Sequence, residues 1–488
     1  MRALRLGLAA GVAFFLSSCG SVEQGPCAAA ITPWSTSVDP PVIASTAALN
    51  VKDFHAVGDG ITDDTAAFND ALGALATTNG GTLLIPPGTY LVGDVRLGNG
   101  TAIRGLGTPP PVLAKNPTAS SILSILSNPG GGATLHDISI EQLTLRGRSV
   151  QDGFSEHVHN LLVVGVTRLS VRKVSFEAFQ GDGVYLGTRL RPADAVAHNS
   201  SVMVDANAFD GVNAQNRNGV SVIDCTHCMI DSNSFSRITR PDMPGAIDLE
   251  PNQRDELIND VAVTNNTISG SGGSAGAISV SLAFKDFLQG PGHILIQNNQ
   301  VQNAKTGIFV LWEGPVTSQT PSLDTLIWGN VVSNVDHPLQ LDGVAGITIA
   351  HNGFSDSGMD VQLGCGAGAA SVRFSSNGFT RVGALSGQGF ILCGPLTALT
   401  FDGNNLVDLG SSATNGSAVR FANGTTANIN YTGNVFSSPN QTTHVAFSAA
   451  ANASFAPATN TWSGNVLNDG IQLGVFPNAG SAAGCGTH

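Results

Sequence analysis

The chain has 488 residues, of which 42% are hydrophobic and 12% charged, and its formal net charge is −13. Such a composition excludes an intrinsically disordered chain, in which charge is high and apolar content low. The negative charge also argues against a general nucleic-acid binder. The length suits either several globular domains or one long repetitive body.

The chain begins with the features of an export signal. Two arginines precede an apolar stretch over residues 6–16, which is too short to span a bilayer. The Leu-Ser-Ser-Cys sequence that ends at Cys19 resembles a bacterial lipoprotein signal, in which the cysteine becomes the lipid-modified first residue. An ordinary secretory signal with an incidental cysteine is the alternative. We therefore expect a signal peptide over 1–19, a flexible tether over 20–50, and a mature protein attached to the membrane of the bacterial cell envelope by its lipid.

Residues 51–92 are typical of a cap at the start of a repetitive fold. Apolar residues at helical spacing follow Asp63 and Asp64, which we expect to start the capping helix. The helix is predicted to end before two glycines, and a strand then leads into Pro-Pro-Gly-Thr-Tyr.

The same segment identifies a family. Its two phrases, VKDFHAVGDGITDDTAAFNDAL and GGTLLIPPGTYLVG, closely resemble the N-terminal segment of the pectate-lyase-like superfamily, of the rhamnogalacturonase/epimerase-like type. With the repeats described next, the resemblance covers roughly residues 50–475. It implies a right-handed parallel β-helix with carbohydrate-active chemistry. It does not name the reaction, because this fold hosts hydrolases, lyases and epimerases.

A short phrase then recurs: two alternating apolar residues, two polar residues, Asn, any residue and one apolar residue. Two earlier segments, 138–145 and 169–176, fit it with an apolar residue at the Asn site. Each phrase is followed by an apolar-x-apolar triplet such as Ile247-Asp248-Leu249, whose outer residues face inward if it is a strand. The asparagines, for which we expect a structural role at a bend, are Asn207, Asn233, Asn266, Asn299, Asn330, Asn352, Asn377, Asn404 and Asn434.

Spacings of 22–33 residues between these asparagines indicate stacked structural units made of strands. We therefore predict an all-β protein, a right-handed parallel β-helix over residues 51–475 with about 11–12 coils. The short N-terminal capping helix lies within 51–92, and residues 476–488 form a C-terminal tail.

Export permits disulfides. Cys365 and Cys393 each follow a strand in consecutive coils, so stacking brings them close and predicts a bridge. Cys225 and Cys228 have the spacing of a metal or redox pair, but no second ligand pair accompanies them. A local disulfide and two free thiols both stay open for this pair, and so does the pairing of Cys27 and Cys485.

The coils are unequal, and their irregularity points to a functional region. Residues 140–260 contain eleven of the 22 Lys and Arg and sixteen of the 35 Asp and Glu. Loops inserted at equivalent points of stacked coils wall a groove on one side. The long loops are 187–201, 250–260, 283–293 and 312–325.

Asp248 and Glu250 are the leading catalytic candidates. Both are expected to face outward on one strand, about 6.5–7 Å apart along it. Two close carboxylates can divide into an acid and a base, as glycoside cleavage requires. Asp182 is expected to point toward the same groove one or two coils earlier. The alternatives are a solvated polar strand face paired to Arg217 or Arg254, and for Asp182 a plain Gly-Asp-Gly turn.

Several further residues are candidates for substrate binding. Guanidinium groups bind carboxylates and sulfates in a bidentate manner, which suits a uronic or sulfated polymer, although surface ion pairs explain any single arginine equally well. A Trp at a groove edge either stacks on a sugar ring or packs a loop. The candidates are Tyr185, Arg189, Arg191, Arg217, Arg237, Arg240, Arg254, Trp312 and Glu313.

No cofactor or metal is predicted. The histidines lack the spacing of a zinc site, and no dense Asp cluster supports Ca²⁺, which stays an unsupported alternative. The coils also lack the Asn-Thr-Asp, Asp-Asp, His-Gly and Arg-Ile-Lys signatures of polygalacturonase-type hydrolases and the Asp-Pro-His triplet of mannuronan epimerases.

The leading hypothesis is a cell-surface enzyme that binds and cleaves a polysaccharide by carboxylate acid/base catalysis, as a glycoside hydrolase. A polysaccharide lyase or epimerase is the nearest alternative, with Arg217, Arg240 or Lys285 as the proton acceptor. A non-catalytic glycan-binding or structural surface protein is the third. The sequence predicts neither the polysaccharide nor the oligomeric state.

Overall fold

The structure, a computed structural model, describes residues 31–127, 134–191, 194–410, 416–440, 442–455 and 460–476. These residues form three long parallel sheets, and each strand pairs with the equivalent strand of the turn before and of the turn after. The predicted all-β, right-handed parallel β-helix is confirmed.

The first sheet has sixteen described strands: Ala48–Asn50, Gly81–Ile85, Thr101–Gly105, Leu135–Glu141, Val166–Arg172, Ser200–Asp205, Cys225–Asp231, Ile258–Thr264, Gly292–Gln297, Thr325–Trp328, Val344–Ala350, Ala369–Ser375, Leu396–Asp402, Gly424–Thr432, Ala453–Phe455 and Thr461–Ser463. The second has fifteen: Asp59–Asp63, Thr89–Val92, Val112–Lys115, Thr144–Arg146, Ser175–Glu177, Ala208–Asp210, Ser234–Ile238, Thr267–Ser271, Gln300–Gln302, Val331–Ser333, Gly353–Ser355, Gly378–Thr380, Asn405–Val407, Val435–Ser437 and Val466–Leu467. The third has fourteen: Val95–Arg96, Ser121–Leu126, His159–Val164, Val184–Gly187, Val220–Val222, Ile247–Leu249, Ile278–Leu282, Thr306–Trp312, His337–Asp342, Val361–Leu363, Gln388–Leu392, Ser417–Phe421, Val445–Ala449 and Gln472–Gly474.

The strands make about 14 turns, so the prediction of 11–12 coils is too low. That prediction counted the recurring phrases, and the first turns, over residues 81–126, carry neither the Asn nor its apolar substitute. The alternation within each triplet is as predicted. Ile247 and Leu249, for example, are fully buried in the core.

The asparagine column is a hydrogen-bonded ladder inside the solenoid. The Oδ1 of Asn299 accepts hydrogen bonds from the backbone N–H and the side-chain amide of Asn266 one turn earlier, both at 3.0 Å. The Nδ2 of Asn299 donates to the carbonyl of Val263 at 2.8 Å and to the next rung, Asn330, at 2.9 Å. Buried amides that satisfy one another in this way hold consecutive turns in register. The role of these residues is therefore structural.

Three helices are described: a 3-10 helix at Val51–Phe54, an α-helix at Thr65–Thr77 and a short α-helix at Ser149–Asp152. The Thr65–Thr77 helix buries one apolar face against the first strands. Asp64, expected to start this helix, makes no side-chain cap. Its carboxylate instead accepts hydrogen bonds from the backbone N–H groups of residues 57 and 58, at 2.6 and 3.0 Å, and so closes the preceding loop.

Residues 33–50 pack against the first sheet of the solenoid. The Trp34 ring stacks on His293 with centroids 4.5 Å apart, and the Thr36 hydroxyl donates to Asp260 at 3.1 Å. The backbone N–H of Val42 donates to Asp137 at 2.8 Å. These contacts contradict a flexible tether over residues 33–50, because polar groups along the first sheet bind this segment. Cys19 and residues 20–30 lie outside the described residues.

Cys365 and Cys393, the pair expected from consecutive coils, are joined by a disulfide with Cα atoms 4.5 Å apart. The sulfurs of Cys225 and Cys228 contact each other in the core. Cys27 and Cys485 lie outside the described residues. Within the part of the chain that the structure describes, no helix is long and apolar enough to cross a membrane.

Candidate functional site

A buried cluster of charged side chains lies on the outer face of the third sheet. Ser221 and Asp248 are register partners on the neighbouring strands Val220–Val222 and Ile247–Leu249. Both follow the alternation away from the core, yet both are fully buried. Arg217, in the turn before the first of these strands, is the centre of the cluster, and only 9% of its side chain is exposed.

The Arg217 guanidinium contacts four carboxylates and one hydroxyl. Its Nη1 donates to Ser221 Oγ at 2.9 Å. The carboxylates are Glu250 (Nη2 to Oε2, 2.6 Å), Asp182 (Nη1 to Oδ1, 3.5 Å), Glu156 (Nε to Oε1, 3.7 Å) and Asp248 (Nη2 to Oδ2, 3.8 Å). Burial alone would lower the pKa of Arg217, but these carboxylates outweigh it and raise the pKa above its usual value. Arg217 therefore cannot be the proton acceptor that the lyase alternative assigned to it.

Asp182 is the ionised acid of the cluster. Its Oδ1 accepts from Ser221 Oγ at 3.0 Å and from the backbone N–H of Asn218 at 3.1 Å. Its Oδ2 lies 3.1 Å from the Nδ1 of His159. Burial would raise the pKa of Asp182, but the charge of Arg217 and the hydrogen bonds from His159 and Ser221 outweigh burial and lower it.

Asp248 is the protonated acid. Burial first, and then the negative charge of Glu250, raise the pKa of Asp248 well above its usual value, although Arg217 acts in the opposite direction. Asp248 and Glu250 approach the same Nη2 atom of Arg217, at 3.8 and 2.6 Å. The expectation that both carboxylates face solvent is wrong for Asp248, because Arg217 and Asn218 contact its carboxyl group from the turn before. Glu250, with 27% of its side chain exposed, is the member of the pair that solvent reaches.

A cavity of about 180 Å³ lies at the carboxyl ends of these strands, and none of the four acids around Arg217 is in its wall. Ile223, in its wall, occupies the place beside Glu250 on the neighbouring strand. Tyr185 is also in the wall, and its ring stacks on His159 with centroids 4.7 Å apart. Burial and the charge of Asp182 raise the pKa of Tyr185 to about 12, so its hydroxyl stays a proton donor. The remaining lining residues are Thr188, Arg189, Leu190, Arg191, Asn252, Gln253 and Glu256.

The two arginines of the cavity differ in what they bind. Arg189 donates to Asp255 at 2.7 Å. Arg191 is exposed, and its guanidinium forms no ion pair among the described residues. The cavity edge therefore presents a cation with no protein partner in the described part of the chain.

Stacking on a sugar ring, one of the two predicted roles of Trp312, would require it to lie at a groove edge, and it does not. It is fully buried, its Nε1 donates to the carbonyl of Phe284, and the Nζ of Lys285 lies 4.5 Å from its ring centroid. Trp312 therefore packs the 283–293 loop. Lys285 donates to the carbonyl of Trp312 at 3.2 Å, and burial lowers its pKa to about 8. Glu313 follows Trp312 and is exposed.

Three of the predicted arginines do not contact the cluster, because acids outside it bind them. Arg237 pairs with Asp210 of the second sheet. Arg240 pairs with Asp242 at 2.5 Å and Arg254 with Asp286 at 2.9 Å. For these three, the alternative of ordinary surface ion pairs is correct.

Three residues of the cluster were missed in the sequence: Glu156, His159 and Asn218. Each belongs to a different turn from Asp248 and reaches the cluster only through the register between turns. Alignment of the triplets predicts Ser221 beside Asp248, and the register confirms it, but nothing in the sequence marks Glu156. The described residues contain no group of three or more His, Cys, Asp or Glu side chains placed to hold a metal ion.

Residues 48–325 match the family described as "Rhamnogalacturonase A/epimerase, pectate lyase-like". Alginate lyase 7 of Azotobacter vinelandii is 30% identical over 171 residues, which are 31% of this chain and 20% of that protein. Mannuronan C5-epimerase AlgE4 of the same organism is 27% identical over 204 residues, 36% of each. The chain thus spans about a fifth to about a third of the length of these relatives. The solved A-module of AlgE4 superposes with a TM-score of 0.50 at 15% identity, over 88% of this chain and 98% of the module, a likeness of fold.

Proposed function

The chain belongs to the rhamnogalacturonase A/epimerase, pectate lyase-like family, and on this premise we propose that it is an enzyme that modifies a polysaccharide. One observation carries the proposal. Asp248, which is fully buried, and Glu250, which solvent reaches, approach the same Nη2 atom of Arg217, and the negative charge of Glu250 helps to raise the pKa of Asp248. Perturbed carboxyl pairs of this kind are typical of acid/base sites.

The geometry favours elimination over two-carboxylate hydrolysis by this pair. The carboxyl groups of glycoside hydrolases flank the bond at about 5–5.5 Å or 6.5–9.5 Å. Asp248 and Glu250 come from one strand end and approach the same Nη2 atom of Arg217, and Asp248 is fully buried, so they lie on one side of any substrate. A one-sided pair suits proton transfer to and from a sugar ring, as a lyase or an epimerase requires.

We assign the proton transfer to Glu250. Its carboxylate takes the proton from the ring carbon next to the carboxylate of a uronate residue. The electrons of that C–H bond form a C=C bond, the glycosidic C–O bond breaks, and the departing oxygen receives a proton from Tyr185 or Asp248. The unpaired guanidinium of Arg191 at the cavity edge suits the uronate carboxylate. The two relatives named above, an alginate lyase and a mannuronan epimerase, support a polyuronate substrate.

Hydrolysis is the second candidate, and a different pair favours it. Glu156 and Glu250 approach the Nε and Nη2 atoms of the same guanidinium, and 49% and 27% of their side chains are exposed. Two accessible carboxylates held by one arginine could act as acid and base on either side of a glycosidic bond.

A panel of polyuronates and neutral polysaccharides tests these proposals. Elimination gives ultraviolet absorbance from unsaturated ends, hydrolysis gives reducing ends without it, and epimerisation changes the NMR spectrum of the uncut polymer. Glu250→Gln is expected to lower the rate by about 10²–10⁴-fold, and Asp248→Asn should lower it as well. The control Asp70→Asn, at an exposed carboxylate of the Thr65–Thr77 helix, should leave the rate unchanged.

Three outcomes contradict the assignment. If Glu250→Gln and Asp248→Asn keep full activity on the polymer that the wild type processes, the pair is not catalytic. Reducing ends without absorbance, lost in Glu156→Gln, would establish the second candidate. Binding without any product across the panel would favour the non-catalytic glycan-binding protein.

We also propose that the chain is exported and lipid-anchored through Cys19. The sequence up to Cys19 supports this proposal. Labelling with a fatty-acid analogue should mark the wild type and not Cys19→Ser, and Cys19→Ser should shift the protein out of the membrane fraction. Equal labelling of both would contradict the proposal.

A further inference from the structure

The cavity lies where one turn of the solenoid is shorter than the turns on either side. In this turn residues 223–224 alone join the third-sheet strand to the following first-sheet strand. The turns before and after it insert residues 188–199 and 250–257 at the equivalent point. Residues of both insertions line the cavity, and so does Ile223 between them. The cavity is therefore the space that a short connection leaves between two loops.

Asp224, the second residue of the short connection, contacts both loops. Its Oδ1 atom lies 2.8 Å from the Nδ1 of His198 and accepts a hydrogen bond from the backbone N–H of Leu257 at 2.8 Å. Its Oδ2 atom accepts a hydrogen bond from the backbone N–H of Asn199 at 2.8 Å. The Asp224 side chain is 0% exposed. One buried carboxyl group thus fixes the last residues of each loop.

Side chains in the cavity wall also join the two loops. Thr188 donates to Glu256 at 2.9 Å, and Arg189 donates to Asp255 at 2.7 Å. These two acids directly precede the residue whose backbone N–H binds Asp224, so the contacts form one connected set. Arg191 forms no ion pair among the described residues, and its place at the cavity edge depends on where this set holds its loop.

Loss of the Asp224 carboxyl group would disturb both loops at once. The N–H groups of Asn199 and Leu257 would lose their acceptors, and a buried N–H without an acceptor is costly. The loops relieve that cost when they move apart and admit water. Such a movement shifts the cavity wall without touching the acids around Arg217.

We propose that Asp224 is a positioning residue, which couples the two loops and thereby holds Arg191 where the carboxylate of the substrate binds. The inference rests on the proposed function, in which Arg191 binds a uronate. Asp224 acts through the loops and does not touch the substrate. His198 shares this role, because its ring is one of the partners of the carboxyl group.

Hydrogen–deuterium exchange of the full chain tests the coupling. His198→Ala removes one partner of Asp224, at a side chain that is 44% exposed, so the variant folds. His136→Ala is the matched control, because its Nδ1 lies 2.8 Å from Asp137 in a turn outside the cavity wall and 46% of its side chain is exposed. We expect amides of residues 194–201 to exchange about tenfold faster in His198→Ala and at the wild-type rate in His136→Ala. Asp224→Asn should also accelerate exchange in residues 250–257.

Steady-state kinetics on alginate and polygalacturonate test the positioning role. His198→Ala should raise KM at least about tenfold and leave kcat nearly unchanged, because binding is weakened and the acids are untouched. His198→Asn should restore most of the affinity, since its amide nitrogen takes the place of Nδ1. If Asp224 acts through Arg191, His198→Ala should add little to the effect of Arg191→Met.

The two measurements separate the ways in which the proposal can fail. Wild-type exchange in both His198→Ala and Asp224→Asn overturns the coupling. Faster exchange with an unchanged KM overturns the positioning role, and so do independent effects of His198→Ala and Arg191→Met. A wild type that processes neither polyuronate contradicts the proposed function instead, and the exchange measurement still decides the coupling. Circular dichroism checks that each variant folds, and the His198 variants suffice if Asp224→Asn does not.

Discussion

Arg217→Met is the most informative perturbation of the cluster. Methionine keeps an apolar stem of similar length and removes the charge that four carboxylates share. Asp182, at 0% exposure, then stays buried without its counter-ion. Removing one partner of a buried ion pair lowers the free energy of unfolding by about 3–5 kcal/mol.

The structure places the cost at the lower end of that range. Asp182 keeps its hydrogen bonds from Ser221 and Asn218 and its contact with His159. Asp248 already holds its proton, so it loses no counter-ion. We therefore expect Arg217→Met to lower the free energy of unfolding by about 3 kcal/mol near neutral pH.

The loss should depend on pH with a definite sign. In the wild type the pKa of Asp182 lies below 3.8, so its contribution to stability is present above that pH and is lost as the pH falls through the folded pKa. Without Arg217, burial is less opposed and raises that pKa, so the variant loses stability as the pH rises above 3.8. The difference between the two proteins should therefore grow with pH.

Urea unfolding followed by circular dichroism, at about pH 4 and about pH 7, measures this difference. Arg237→Met, which breaks the exposed pair with Asp210, is the matched control and should change little. Arg217→Met combined with Asp182→Asn should recover part of the loss, because the uncompensated charge is gone. A loss below about 1 kcal/mol, or one independent of pH, would refute the account of an ionised Asp182 held by Arg217.

For three further substitutions the structure predicts the direction in which stability changes, and urea or thermal unfolding measures each change. The pKa of Asp248 is raised in the folded protein, so wild-type stability falls as the pH rises above 3.8. The stability of Asp248→Asn relative to the wild type should therefore increase with pH above 3.8, and no increase would contradict the raised pKa. Folded Lys285 loses its proton near pH 8, before its usual pKa of 10.5, so the wild type should gain stability relative to Lys285→Met between these values. Asn299→Ala leaves the backbone N–H of Asn266 without an acceptor, while the Asn266 amide keeps its hydrogen bond to the carbonyl of Ile230. The unsatisfied N–H should cost roughly 1–3 kcal/mol, whereas the exposed Asn405→Ala should cost much less.

Some residues of the site can be predicted from the strand that carries Asp248, and others are contributed by neighbouring turns. Asp248 and Glu250 are visible as acids in an apolar strand of a charge-rich turn, and Asp182 and Arg217 belong to the same long-loop region. The hydrogen bonds that keep Asp182 ionised come from Asn218 and Ser221, 36 and 39 residues away, and the burial that raises the pKa of Asp248 involves residues of the turn before. Periodicity predicts that such turns stack, but not which side chains meet. The same gap explains why Trp312 was open to two interpretations.

The sequence by itself determined the solenoid. Each turn of 22–33 residues buries its apolar triplet against the next turn, and the Asn at each bend pairs with the Asn of the turns above and below it. The repeated local pattern is therefore enough to predict the stacked fold. Only the tertiary structure decided the chemistry of the recurring outward position. The register between turns places Arg217 beside Asp248. The burial that raises the pKa of Asp248 depends on this packing of one turn on another, which no single turn encodes.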